Sequence, residues 1–396
     1  MTAPIVAPAA DRPAAGAVAP DAAALALPLR LIADDLTGAL DSAMAFVRPG
    51  QALPVHLAAP QAPGTGALAI DSDTRESDPA TARGTVASLA AGLPDGAGPG
   101  VPLFFCKLDS LLRGRGAAEI AGWLDAMAFQ RCIIAPAFPH HGRVTRGGIQ
   151  MLLGADGVRP VGEDLAAGLR ALGFSVHLCR PGEPVPLGLS LWDVETQADL
   201  ATLARDGRSA GGRILWCGSG GLALALAGEA EPVLVDPRAL PRPLLGLFGT
   251  DHPVTRAQVE ACGGAAFQIS GGGRDEAARV AARLEAEGVA LVSLALPEGT
   301  PRAEAARRIA DEFARLLQTL RAPGTLVVSG GETLRSLSLS LGAERLDLLG
   351  AFETGIPVSI LRGGRFDGVH VVSKSGAFGD SLLLRRLIFP MQGARA

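Results

Sequence analysis

The chain has no tyrosine, no CxxC pair, no surplus of positive charge and no long uninterrupted apolar run. Each absence removes a class of protein. Five cysteines (Cys106, Cys132, Cys179, Cys217 and Cys262) are scattered without disulfide-framework or metal-type spacing, which predicts reduced, mostly buried thiols and a cytoplasmic location. A formal net charge of −4 argues against a general nucleic-acid surface, which needs clustered Lys and Arg to displace counterions. Gly, Pro or a charge breaks every apolar stretch before it reaches the length of a membrane span, so no membrane partner is expected. Residues 1–28 are rich in Ala and Pro and lack a basic n-region followed by an apolar h-region; they read as a disordered tail, not a secretory signal. No GxxxxGK[ST] loop and no GxGxxG fingerprint occurs.

What is present is a large globular chain. At 396 residues, 48% hydrophobic and 19% charged, it exceeds what one core usually supports, so two domains are expected. Its abundance of Ala, Gly and Arg reads first as codon composition. Short apolar runs alternate with helical segments. Strands are expected near 29–32, 54–57, 67–70, 103–106, 131–135, 175–178, 189–194 and 214–217, with helices near 80–93, 117–128, 164–172 and 197–206. A Pro-rich stretch, 232–243, marks a boundary that divides a first unit, 29–238, from a second unit, 239–396. The second unit has strands near 244–248, 325–328 and 368–372 and helices near 254–261 and 304–320. The fold class is therefore α/β: two α/β domains with mainly parallel sheets and an active-site cleft between them.

The candidate chemistry lies in the polar turns after these strands. The stretch LIADDLTGALD, 31–41, places Asp34 and Asp35 where a strand feeds a helix, the place where open α/β sheets bind ligands. Adjacent carboxylates there pair with a metal, a cation or a polyol hydroxyl, or one of them simply caps the helix. Asp73 and Asp109 add acceptors. Arg75, Lys107, Arg113 and Arg115 can hold a carboxylate, Arg by a bidentate contact. That mixture suits a small polyhydroxy acid; the competing reading is a set of surface ion pairs of little energy. In the second unit, Ser329-Gly330-Gly331-Glu332-Thr333 and Lys374 to Gly379 are glycine turns between strand and helix, with backbone N–H groups free for a phosphate and Lys374 to offset its charge. Several such turns without dinucleotide glycines favour a mononucleotide over NAD. His140 with His141, and Asp251 with His252, invite a metal reading, but neither pair has further ligands at useful spacing, and a solvated loop is the expectation for the first.

The motifs ADDLTGALD (33–41), DSDTRE (71–76), KLDSLLRGRGAAEI (107–120), APAFPHHGRVTRGGIQ (135–150) and CGSGGLA (217–223) resemble the N-terminal half of the four-carbon acid sugar kinases. SGGETL (329–334), ETGIP (353–357) and KSGAFGD (374–380) resemble their nucleotide-binding C-terminal half, and all occur in the family's order. The resemblance implies ATP-dependent phosphorylation of the terminal hydroxyl of a threonate, erythronate or 3-oxo-tetronate, with Mg²⁺ bridging the phosphates. It implies an acid-binding set of Asp34, Asp35, Asp73, Arg75, Lys107, Asp109 and Arg113, with Asp35 the preferred base and Asp34 and Lys374 beside it in catalysis. It implies an ATP-side set of Ser329 to Thr333, Glu353, Thr354, Gly355, Ile356, Lys374, Gly376 and Gly379. Where the family commonly has Gly-Ser-x-Ser, this chain has Gly249-Thr250-Asp251-His252, so Thr250 keeps one hydroxyl and His252 replaces the other. Arg115 stands where the family often has Asn, and the usual acidic Asp-Pro pattern is missing around 151–164. Small-molecule partners follow, with a homodimer compatible. The rival readings are a catalytically silent sugar-acid sensor of the same fold and, less favoured by motif, a nicotinamide-dependent dehydrogenase.

Overall fold

A computed structural model describes residues 28–62, 64–94, 101–154, 157–228, 231–250, 252–297 and 299–390. The tail expected over 1–28 lies outside these residues apart from Pro28. The strands of the first half are Leu29–Ala33 (β1), Leu53–His56 (β2), Leu68–Asp71 (β3), Leu103–Lys107 (β4), Arg131–Ala135 (β5), Arg143–Arg146 (β6), Ile149–Gly154 (β7), Gly157–Pro160 (β8), Val176–Cys179 (β9), Gly188–Trp192 (β10) and Ile214–Gly218 (β11). Those of the second half are Leu244–Phe248 (β12), Ala266–Ile269 (β13), Val289–Leu294 (β14), Thr325–Ser329 (β15), Arg345–Glu353 (β16), Ile356–Arg362 (β17) and His370–Lys374 (β18).

Both halves are α/β with mainly parallel strands. In the first, the order β2-β3-β1-β4-β11-β5-β10-β9 is parallel throughout. In the second, β13-β14-β12-β15-β18 is parallel. The two runs are not separate sheets. The hairpin β16–β17 joins them, β17 lying antiparallel to β18 and β16 antiparallel to β2, so that fifteen strands form one sheet. A small antiparallel sheet, β6-β7-β8, stands apart from it in the stretch 143–160.

The strand interiors are apolar because parallel strands are covered on both faces; Leu31, Phe105, Ile133 and Val328 are fully buried. One apolar cluster runs along a single face of the sheet through both halves, taking in Leu31, Leu36 and Leu40 with Leu334, Leu346 and Leu348. The opposite face carries one cluster in each half. No helix among the described residues is long and apolar enough to cross a membrane.

Strand order reverses at β1, whose neighbours are β3 and β4, and at β12, whose neighbours are β14 and β15. Chains that leave such a strand in opposite directions open a crevice at its C-terminal end, where ligands bind. Asp34 and Asp35 follow β1, and Gly249 and Thr250 follow β12.

Candidate active site

Strand-end turns of the two halves meet in one cleft of about 560 Å³, walled on one side by the β1, β4 and β11 turns and on the other by the turns after β15 and β18; Gly249 and Thr250, after β12, do not line it. Asp35 occupies the N-cap of the helix Leu36–Met44, its Oδ1 accepting from Gly38 N at 2.7 Å. Gly38 is needed here, because a Cβ would lie 2.6 Å from that oxygen and 3.2 Å from Lys107 Nζ. The cap does not exhaust the carboxylate, which has about four lone-pair sites. Its Oδ2 accepts from Arg75 Nη1. The same guanidinium grips Asp34 with a fork, Nε to Oδ2 and Nη2 to Oδ1, both 2.8 Å. Burial raises the Asp35 carboxyl above the usual carboxylate range, against the lowering pull of Arg75 and with Asp34 adding to the rise. A carboxylate so placed is a better proton acceptor than a solvated one. Asp34 is buried behind the fork and does not face the cleft.

Asp109 works differently. Burial would push its carboxyl up, but a second fork, from Arg113 Nε and Nη2 at 2.8 Å each, together with Arg75 and Lys107, holds it far below the ordinary range. It stays ionised and orders its own turn, accepting from the backbone of Leu111 and Arg113.

Two lysines end strands on opposite walls. Lys107, the last residue of β4, is buried and donates to Leu108 O at 2.9 Å. Lys374, the last residue of β18, is buried and donates to Thr255 Oγ1 at 2.8 Å, with Ser329 Oγ and Gly376 O at 3.4 Å. Neither has a carboxylate within ion-pair distance among the described residues. Burial lowers Lys374 to about 8. Lys374, held by hydroxyl and carbonyl dipoles, is incompletely compensated, and an anion entering the cleft supplies what is missing.

Asp35, Arg75, Lys107, Asp109, Arg113, Gly330, Gly331, Gly355, Lys374 and Gly379 therefore line one cleft. The other anticipated residues stand elsewhere. Asp73 is exposed, at φ 54°, and paired with Arg335 at 3.0 Å. Ser329 and Thr333 are buried beneath the glycine turn, and Glu332 is exposed on the first turn of the helix Gly331–Ser340. Glu353 is held by Arg386 at 2.9 and 3.0 Å, Thr354 is exposed, and Ile356 packs in the apolar cluster beneath. Gly376 abuts Thr250, whose Oγ1 accepts from His252 N at 3.2 Å. Where a second hydroxyl was missed, His252 caps the helix Pro253–Glu260 through Nδ1; Asp251 lies outside the described residues. Arg115, expected near the acid, donates instead to Ser77 O at 2.7 Å.

Several cleft residues had no role in the sequence reading. Thr37 and Asp41, four apart and so on one helical face, both line it; burial raises the Asp41 carboxyl, with Lys107 opposing. The i,i+4 spacing from a strand-end cap was the available signal. His141, read as part of a solvated loop, is exposed but reaches across the cleft, its ring edge-on to Phe138 at 4.4 Å and to Phe378 of the opposite wall at 6.0 Å. Thr255, the nearest partner of Lys374, carried no signal at all. Among the described residues no group of three or more His, Cys, Asp or Glu is placed to hold a metal ion.

Residues 29–172 match a sugar-binding N-terminal domain and residues 245–384 a nucleotide-binding C-terminal domain. The chain is 31% identical to the D-threonate kinase of Bordetella bronchiseptica, over 90% of this chain and 95% of that protein. It belongs to the four-carbon acid sugar kinase family. A D-threonate kinase of Cupriavidus necator is 30% identical, covering 92% of this chain and 98% of the relative, and a D-erythronate kinase of Heliobacterium modesticaldum 26%, covering 89% and 94%. Among solved structures, a putative tRNA synthase from Salmonella typhimurium aligns over 91% of this chain and 99% of its own, with a TM-score of 0.71 and 19% identity. A Haemophilus influenzae protein aligns over the same shares at 0.67 and 18%. These two establish the fold alone. For a member of the sugar kinase family, the matched domains correspond to the two walls of the cleft.

Proposed function

We propose that the protein is an ATP-dependent kinase that phosphorylates the terminal hydroxyl of a four-carbon sugar acid of the threonate, erythronate or 3-oxo-tetronate type. One observation carries the reading: two buried lysines, neither with a carboxylate within ion-pair distance among the described residues, face a shared cleft from opposite walls, with the Asp35 carboxylate on the acid side. Residues 29–238 form the acid-binding unit and 239–396 the nucleotide-binding unit. Lys107 and Arg113 attract the acid carboxylate. Lys374 and the N–H of Gly331, at the positive end of the helix Gly331–Ser340, take the phosphates, while the Gly330 N–H donates to Lys374 O at 2.9 Å and holds the turn against β18.

Phosphoryl transfer depends mainly on positioning and charge neutralisation. Asp35 accepts the proton of the terminal hydroxyl as its oxygen bonds to the γ-phosphorus, while the bond from phosphorus to the bridging oxygen breaks and ADP leaves. Closure of the cleft around both substrates excludes water, which would otherwise take the phosphoryl group. Mg²⁺ fits this site as a companion of the nucleotide, since that ion commonly takes one or two protein carboxylates and fills its remaining positions with phosphate and water; Asp35 and Asp41 are the carboxylates facing the cleft without a bidentate guanidinium. It would neutralise phosphate charge. Five free, buried cysteines accord with action in the reducing cytoplasm.

The test is ATP-dependent phosphorylation across a panel of tetronates. Wild type should form product with at least one, and Asp35→Asn should lose roughly 10²–10⁴-fold in kcat. Wild-type turnover in Asp35→Asn removes Asp35 as the base. Nucleotide binding without product on any tetronate replaces the kinase by a sugar-acid sensor.

A further inference from the structure

The helix Gly331–Ser340 begins at the cleft and carries Arg335 in its second turn. Arg335 leaves the cleft and crosses to the other half, where Nε donates to Asp71 Oδ2 at 2.7 Å and Nη1 stands 3.0 Å from Asp73 Oδ2. The Asp71 side chain has no exposure to solvent. Burial pushes its carboxyl up to about 7 against the lowering effect of Arg335. Parting the pair would leave a fully buried carboxyl without its guanidinium.

Asp71 is tied onward to the acid side. Its Oδ1 accepts from Asp73 N at 3.0 Å, fixing the positive-φ turn. The next two residues, Thr74 and Arg75, donate their backbone N–H groups to Asp34 O at 3.1 and 3.2 Å. Arg75 then closes on the carboxylates of Asp34 and Asp35. A short run of ionic and hydrogen-bonded contacts thus joins the glycine turn to the clamp that holds Asp35. The first link is a helix and the second a planar guanidinium held by two carboxylates, Nε on Asp71 and Nη1 on Asp73.

We propose that Arg335 is a positioning residue that couples occupancy of the Gly330–Gly331 turn to the setting of the Arg75–Asp34–Asp35 clamp, so that nucleotide and sugar acid bind cooperatively. The inference rests on the kinase reading above. A phosphate at the helix N-terminus displaces or steadies the helix, and Arg335 delivers that change to the turn that aims Arg75. By linkage the acid must tighten the nucleotide by the same factor.

The experiment measures, by calorimetry on the full chain, the Kd of D-threonate with and without adenylyl imidodiphosphate, and the Kd of the nucleotide with and without D-threonate. D-erythronate is the second probe. Wild type should show a ratio of roughly fivefold or more, equal in both directions. Arg335→Gln should bring the ratio within about twofold of unity while each ligand alone binds within about threefold of wild type. A residue that merely held the fold together would weaken each ligand alone and leave the ratio intact, and that result overturns the proposal. Asp73→Asn, at an exposed position, guards against misfolding: it severs one anchor and should reduce the coupling, and an unchanged ratio there, if Arg335→Gln does not fold, also overturns the proposal. A wild type that binds neither probe refutes the kinase reading and this inference with it. A wild type that phosphorylates a tetronate but shows no coupling refutes the inference alone.

Discussion

Gly331, at the start of a helix in the second half, lies so close to Thr37, at the start of a helix in the first, that a methyl group on the glycine would overlap the Thr37 hydroxyl. Two helix N-termini thus meet at the cleft with no room for a side chain between them. Gly331→Ala should destabilise the protein by about 1–3 kcal/mol through overpacking. Thr37→Ala, which removes the obstructing oxygen, should recover much of that loss in the double variant. Urea denaturation of the four proteins is the check; additive effects would show that the two residues do not press on one another.

Lys374 offers a pH signature. Burial lowers it to about 8, so in the empty cleft its charge is lost as pH rises through that value. Nucleotide affinity should fall with pH above about 8, up to tenfold per unit if the charged form alone binds phosphate. Lys374→Met should bind weakly at every pH and lose this dependence. Titration with adenylyl imidodiphosphate between pH 6.5 and 9.5 reads both.

Arg75 is a structural clamp as well as a site residue. Its fork pairs with Asp34, whose side chain is 1% exposed. Arg75→Met leaves that carboxylate buried and unpaired and should cost about 3–5 kcal/mol. Arg75→Lys keeps the charge without the fork and should cost less while still raising KM for the acid. Equal stability of wild type and Arg75→Met in denaturant would contradict the clamp.

Glu119 lies behind the clamp, accepting from Thr74 Oγ1 at 2.6 Å, and burial, with the nearby Asp34 charge adding to it, raises its carboxyl to about 8. Between the ordinary glutamate value near 4.5 and about 8 the unfolded chain has released this proton and the folded one retains it, so the group lowers stability as pH rises through that window. Glu119→Gln should be more stable than wild type at pH 8.5, by about 1 kcal/mol or more, with the difference shrinking toward pH 5. Thermal unfolding across that range tests the sign.

Much of the architecture was legible because parallel strands announce themselves as apolar runs that end in polar turns. The expected strand 131–135 and the expected strand 244–248 match β5 and β12, and the 325–328 run differs from β15 by one residue. What escaped was the antiparallel hairpin β16–β17, the small sheet β6 to β8, and the parallel pair β13 and β14, where no strand was expected. The β16–β17 hairpin carries ETGIP at its turn, which the family resemblance alone placed on the ATP side; Gly355 does reach the cleft, but Glu353 belongs to an ion pair with Arg386. The strands β6 to β8 were hidden because much of that small sheet is solvated, β8 at every residue, so Arg143, Arg146 and Arg159 dilute the apolar signal. The contact of Arg335 with Asp71 could not be anticipated from spacing, since nothing local relates residues on separate sheet runs.

The antiparallel seam between β2 and β16 bears on how the protein is made. β2 emerges from the ribosome early, and its outer edge receives a partner only after Arg345–Leu348 has been synthesised. Throughout that interval the nascent first half presents an open row of backbone donors and acceptors, the kind of edge that recruits other chains. A fragment ending in the Pro-rich stretch 232–243 would keep that edge for life. The first half, although it resembles a self-sufficient domain, is completed by the last quarter of its own chain.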